Sequence, residues 1–239
     1  MSLTGMPSTT IATFKKMVAV AALTGILAGL LLTVVQKIQV VPLILKAEVY
    51  EQAVENANPT NRINAPAGHA HDAWQPESGW ERNLFTAAAN IVIALGFALL
   101  LGAAVGLRGA KLDWRSGLLW GLVGYAVFFV APSLGLPPEV PGAQAANLAD
   151  RQVWWMAASA FTATGLAFMF FSRQSTVKIL GAVLLIAPHL IGAPQPEVHG
   201  STAPAELALA FIIATSIANA VFWLGLGGLF GFFHQRLVE

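Results

Sequence analysis

The chain has 239 residues, of which 56% are hydrophobic and 10% charged, and its formal net charge is +1. Soluble domains carry about 25% charged residues, so a water-soluble globular protein is excluded, and the near-neutral balance gives no basic surface for a nucleic-acid partner. Cysteine is absent, which removes disulfides, thiolate metal sites and iron–sulfur clusters and leaves any metal to nitrogen and oxygen ligands.

Six uncharged apolar runs follow one another at 17–35, 84–107, 116–136, 153–172, 179–193 and 207–233. About 20 apolar helical residues cross a ~30 Å hydrocarbon core, so five runs are long enough to span and 179–193 is marginal, with Pro188 and His189 inside it. The expectation is an all-α membrane protein of about six transmembrane helices, a single integral domain over 1–239 with a long outer loop at 46–81. The first run is too long for a usual signal-peptide core and no A-x-A site follows it, so it is taken as a retained span. Within the long loop, the Asn- and Pro-containing stretch 56–66 reads as disordered.

Lys15 and Lys16 precede the first run, which places the N-terminus in the cytoplasm by the positive-inside rule. Six crossings then put Lys15, Lys16, Arg108, Lys111, Arg115, Arg173, Lys178 and Arg236 inside against Asp113 and Glu239, and put most of the acids outside. The loop 194–206, with no Lys or Arg, falls outside. The reading is N-in and C-in. Trp80, Trp114, Trp154 and Trp155 fall at the expected membrane–water edges. Four Gly-x-x-x-Gly pairs, at 25/29, 102/106, 117/121 and 227/231, place small residues one turn apart, as close helix packing in lipid requires. Asn90 and Asn219 are read as interhelical hydrogen-bonding groups.

An internal repeat emerges when the outer helix ends are compared. The segment 131–142 (APSLGLPPEVPG) matches 187–200 (APHLIGAPQPEVHG) with two single-residue insertions, and a fainter copy starts at Pro42-Leu43 and ends at Glu48-Val49. On the returning side, Glu81-Arg82-Asn83 resembles Asp150-Arg151-Gln152, with Glu206 in the third place. The chain then reads as three parallel hairpin repeats around an axis along the membrane normal. Glu48, Glu139 and Glu197 would form one outer acidic ring, and Glu81, Asp150 and Glu206 another; carboxylate rings suit a cation entrance.

The candidate metal ligands gather on the same outer side. His69, His71 and Asp72 put two imidazoles and a carboxylate within four residues of the first loop, and H-x-H can chelate a divalent ion. His189 is an ionisable group at membrane depth, where such groups normally face a cavity or partner, and Pro188 beside it is expected to break a helical turn and expose carbonyl oxygens. His199, Glu139 and Glu197 complete the set. Ligation needs neutral imidazole, so capture at His69 and His71 should weaken as pH falls below about 6.5. No G-x-x-x-x-G-K-[ST], H-E-x-x-H or G-x-S-x-G occurs, so nucleotide hydrolysis and the common hydrolase mechanisms lack their local signatures.

Pro42-Leu43 with Ala47-Glu48-Val49-Tyr50-Glu51, His69-Ala70-His71, Trp80-Glu81-Arg82, Leu134-Gly135-Leu136-Pro137-Pro138-Glu139, Arg151-Gln152-Val153-Trp154-Trp155 and Pro188-His189 before Gly192-Ala193-Pro194 together resemble the CbtA family of predicted cobalt transporter subunits, over nearly the whole chain. The resemblance implies a multi-pass protein of the bacterial inner membrane associated with cobalt supply for cobalamin synthesis. It also implies a small, histidine-rich, single-helix partner, CbtB. The expected function is import of a divalent transition metal, Co2+ as the transported ion, with no permanently bound cofactor and no catalytic residue. A non-transporting scaffold for a metal-handling partner and a metal-dependent membrane enzyme are the alternatives. Lipid is the expected surroundings, and assembly into a homo-oligomer stays open.

Overall fold

The computed structural model describes residues 8–57, 79–109, 111–197 and 200–238, and among them the chain is helical with no strand. The helices are α1 (Ser8–Gln39), α2 (Val41–Ala57), α3 (Trp80–Arg108), α4 (Trp114–Tyr125), α5 (Leu148–Phe171), α6 (Ser175–Ile191) and α7 (Ala205–Leu237). After α4 the chain continues through a π-helical turn, Ala126–Val130, into the short α-helical segment Ala131–Ser133. Five helical segments are long and apolar enough to cross a membrane: Ile11–Gln39, Trp80–Arg108, Trp114–Ser133, Leu148–Phe171 and Ala205–Leu237. The 17-residue α6 is apolar but shorter; at 1.5 Å per residue it measures about 25 Å.

The segment that begins the expected outer loop is helical. Val41–Ala57 forms α2, because its Ala, Leu, Glu and Lys residues are good helix formers and Pro42 falls in the first turn, where its missing N–H costs nothing. Residues 58–78, which hold the rest of the loop, lie outside the described residues.

The chain divides into two compact units. The first gathers the described parts of Met1–Gln36, Trp74–Val123 and Ala218–Glu239. Its core is built from helical stripes: Val20, Thr24, Ala28 and Leu32 on α1, Asn90, Ala94, Ala98, Leu101 and Val105 on α3, and Ala218, Phe222, Leu226 and Phe230 on α7. The spacing of three and four keeps each set on one face. Glycines set how closely these faces meet. A Cβ on Gly25 would lie 2.7 Å from the Cα of Leu95, and one on Gly29 would lie 2.6 Å from the Cα of Ile91, so α1 and α3 pack backbone to backbone. The approach brings Asn90 within reach of α1, where its Nδ2 donates to Thr33 Oγ1 at 3.0 Å and to Gln36 Oε1 at 2.7 Å. Gly117 and Gly121 on α4 face Gly227 and Gly231 on α7, and a Cβ on any of the four would collide with backbone atoms of the opposite helix. Three of the four glycine pairs are therefore packing surfaces. The fourth is not: nothing lies within 4 Å of a Cβ placed on Gly106.

At the start of α4, Asp113 and Ser116 form a reciprocal cap. Ser116 N–H donates to Asp113 Oδ1 at 2.8 Å, Asp113 N–H donates to Ser116 Oγ at 3.0 Å, and the Ser116 hydroxyl donates to the same carboxylate. These bonds satisfy donors that a helix N-terminus leaves orphaned and hold the Asp113 carboxyl below its ordinary value of 3.8.

The second unit gathers the described parts of Lys37–Ala73 and Gly124–Ile217. Here α5 and α6 form an antiparallel hairpin across Ser172-Arg173-Gln174. Gly165 and Gly181 meet midway, a Cβ on either lying 2.7 Å from the other's carbonyl oxygen, and Trp154 meets His189 near the far end. Tyr125 stacks on Phe129, with ring centroids 5.4 Å apart, and its hydroxyl donates to the carbonyl oxygen of Ser216 at 3.2 Å. The π turn that follows Tyr125 is explained by Pro132. Proline supplies no N–H and crowds the carbonyl four residues earlier, and the Ala131 N–H reaches back five residues to Ala126 O, as in a π-helix.

Candidate functional site

The repeated segments end at the same place in the second unit. The loop after Ser133 and the loop after Ile191 are joined by a single antiparallel bridge between Ala143 and Ser201. Gln144 N–H donates to Gly200 O at 2.9 Å and Thr202 N–H donates to Gly142 O at 3.3 Å. Gly142 and Gly200 close the two matched segments in sequence, so the exchange joins matched positions. Gly142 turns with φ +77°, a conformation L side chains rarely adopt, and Thr202 Oγ1 fills the space a Cβ would need.

Between these loops lies a cavity of about 220 Å³, lined among others by Gly135, Glu139, Gln144, Arg151 and Gln195. Arg151 sits in the first turn of α5, which Asn147 caps by accepting the Ala149 N–H at 2.9 Å. A cation there opposes the helix dipole, and the opposing carboxylate comes from the loop: Arg151 Nη2 donates to Glu139 Oε2 at 2.7 Å. The two side chains keep 27% and 31% of their surface exposed. One turn further along α5, Trp154 is buried and packs against Gly135 of the cavity wall. Its ring also makes an edge contact with His189, centroids 6.0 Å apart. Trp154 thus faces the interior, whereas Trp80 and Trp114 are exposed.

The candidate ligands are distributed as follows. Glu139 lines the cavity and is paired with Arg151. His189 is half-buried on α6 beside the cavity wall, in contact with Trp154. Glu197 is exposed on the loop after α6. His69, His71, Asp72 and His199 lie outside the described residues. Among the described residues no three His, Asp or Glu side chains approach closely enough to hold a metal ion. The turn expected to break at Pro188 does not: α6 continues to Ile191, and Gly192 N–H donates to Pro188 O at 3.1 Å. Proline near a helix end removes one hydrogen bond, to Leu184 O, without ending the helix. Sequence reasoning passed over Arg151 as a site residue. Its signal was the cation in a first helical turn, which asks for a nearby acid.

The family model for CbtA, described as a probable cobalt transporter subunit, matches residues 14–235. The chain belongs to the CbtA family. It is a multi-pass protein of the inner membrane, and its family places it in cobalt transport as one subunit of a transporter. No curated protein and no solved structure matches it. For a CbtA chain, a polar cavity that joins an exchangeable carboxylate to the helix end carrying His189 is the part of the described structure best suited to meet a cation.

Proposed function

We propose that this chain is the membrane subunit of an importer for a divalent transition metal, cobalt foremost, and that the cavity at Glu139 is its outer vestibule. The observation that carries the reading is the Glu139–Arg151 pair in the cavity wall. A carboxylate held by a tethered guanidinium is kept oriented until a doubly charged ion competes for it, and the ion then passes toward His189. His69, His71 and Asp72 would capture the ion ahead of this step, with His199 and Glu197 at the rim. Oxygen and imidazole ligands of this kind suit Co2+, Ni2+ and Zn2+, and the family description favours the first.

The accompanying topology is six crossings, N-in and C-in, in three parallel hairpins. Support for α6 as a crossing comes from its packing: it runs beside α5 from Gly181 at Gly165 to His189 at Trp154, the level where α5 begins. A small histidine-rich single-helix subunit is the expected partner, because the family is described as a transporter subunit.

Radiolabelled cobalt accumulation in cells expressing the chain with its small partner tests the reading. Wild type is compared with a His69→Ala, His71→Ala, His189→Ala variant at equal expression. Uptake lost in the variant supports a histidine-lined import route. Equal uptake in both moves the site away from these residues, and no uptake in either overturns cobalt import by this pair.

A further inference from the structure

The buried positions of α5 are Trp154, Ala158, Ser159, Thr162 and Gly165, and their spacing sets them on one stripe that continues upward to Arg151. Along the stripe, Arg151 Nε, Trp154 Nε1, Ser159 Oγ and Thr162 Oγ1 are each enclosed without a hydrogen-bond partner. Ser159 is 5% exposed and Thr162 4%. Elsewhere in this chain helical hydroxyls bond back to the carbonyl four residues earlier: Thr33 to Gly29 O, Thr86 to Arg82 O and Ser216 to Ile212 O. Ser159 and Thr162 do not, so their oxygens are offered to the neighbouring space.

Buried polar atoms are normally satisfied, and an enclosed row of them that the protein leaves unpaired calls for water or an ion. Polar groups at membrane depth likewise face water-filled space or a partner. The row starts at Arg151 in the cavity wall and descends eleven residues, about 16 Å of helix, to Thr162, roughly halfway through a ~30 Å core. Ala158 and Gly165 on the same stripe keep side-chain volume low beside it.

We propose that this face of α5 is a hydrated polar track that leads from the cavity into the membrane and carries water together with a partly hydrated divalent cation. The cargo rests on the import reading above; the hydration does not. Ser159 and Thr162 supply neutral oxygens that replace lost waters without holding the ion tightly, and Trp154 narrows the entrance.

Because the natural chain has no cysteine, single thiols report their own positions. The full chain carrying Ser159→Cys or Thr162→Cys is placed in lipid nanodiscs, with both faces open to a charged methanethiosulfonate reagent. Ala160→Cys and Ala163→Cys, on the exposed side of α5, are the comparison. The expected result is modification at 159 and 162 at least ~10-fold faster, since the thiolate that reacts forms only in water. Equal or slower modification at 159 and 162 overturns the track. Thr162→Val, which keeps the shape and removes the hydroxyl, should cut cobalt uptake several-fold at unchanged protein level, with Thr162→Ser restoring it; unchanged uptake in Thr162→Val counts against passage along this face. Fast modification in a chain that transports no cobalt would overturn the import reading and leave the hydrated face standing, while slow modification with intact uptake would do the reverse.

Discussion

Glu139 and Arg151 keep about a third of their surface in water, 31% and 27%, and partly exposed pairs of this kind are worth roughly 0–1 kcal/mol. A competing dication therefore has little to overcome. Arg151→Gln should lower the cobalt concentration for half-maximal uptake up to about 5-fold, the equivalent of ~1 kcal/mol, and Glu139→Gln should raise it; concentration curves that do not move in either variant would remove the pair from the route. At Asp113 the depressed carboxyl gives a pH dependence of known sign. Its value is lower in the folded chain, so the capping contribution is complete above the unfolded value of 3.8 and fades as pH falls through the lower folded one. Amide exchange at Ser116 should stay slow at about pH 5 and quicken below about pH 3. In Asp113→Asn the same amide should show no such acid transition; an identical transition in both would assign it to another group. Glu139 was visible in the sequence as an outer acid, but its partner was not, because Arg151 lies twelve residues away across a loop whose path only tertiary structure fixes.

At the scale of elements, the glycine pairs separate pattern from partner. Small residues four apart show that a face is low, not that another backbone comes down on it. At 117/121 and 227/231 it does, and at 106 nothing approaches. Gly227→Ala should destabilise the protein by about 1–3 kcal/mol, as overpacking does, whereas Gly106→Ala should be neutral or stabilising by up to ~1 kcal/mol through helix propensity. Thermal unfolding in detergent distinguishes them, and equal midpoints would show that α4 and α7 do not depend on this contact. The apolar runs located the helices because hydrocarbon length is written directly in composition. The helix 41–57 was missed because charged residues every few positions look like loop when apolarity is the only criterion. Asn90 was read as an interhelical donor, and it bridges α3 to Thr33 and Gln36 on α1.

For the whole molecule, the number of crossings depends on α6. Its 17 residues give about 25 Å against a ~30 Å core, a shortfall that local thinning or the following Gly192-Ala193-Pro194 can absorb. Six crossings predict that Arg173→Cys and Gln195→Cys are labelled from opposite faces of the membrane in intact cells and inverted vesicles. Labelling of both from one face would make α6 re-entrant and reverse α7. Charge asymmetry in the loops made this topology readable from sequence, because short basic loops bias insertion. The mouth of the second unit was not readable, since the Ala143–Ser201 bridge and the cavity beneath it depend on two loops meeting.

The π turn at Ala126–Val130 means that this stretch holds one residue more than an α-helix over the same rise would need. Deleting a single residue there would let the helix close normally, but would rotate everything beyond it by about 100°. Pro132 and Gly135 would swing off their contacts, and Gly135 is the wall residue against which Trp154 rests. The surplus residue therefore works as a spacer: it sets the angle at which the chain delivers Glu139 to Arg151, and a shortened sequence could keep every side chain named here and still aim the carboxylate at lipid.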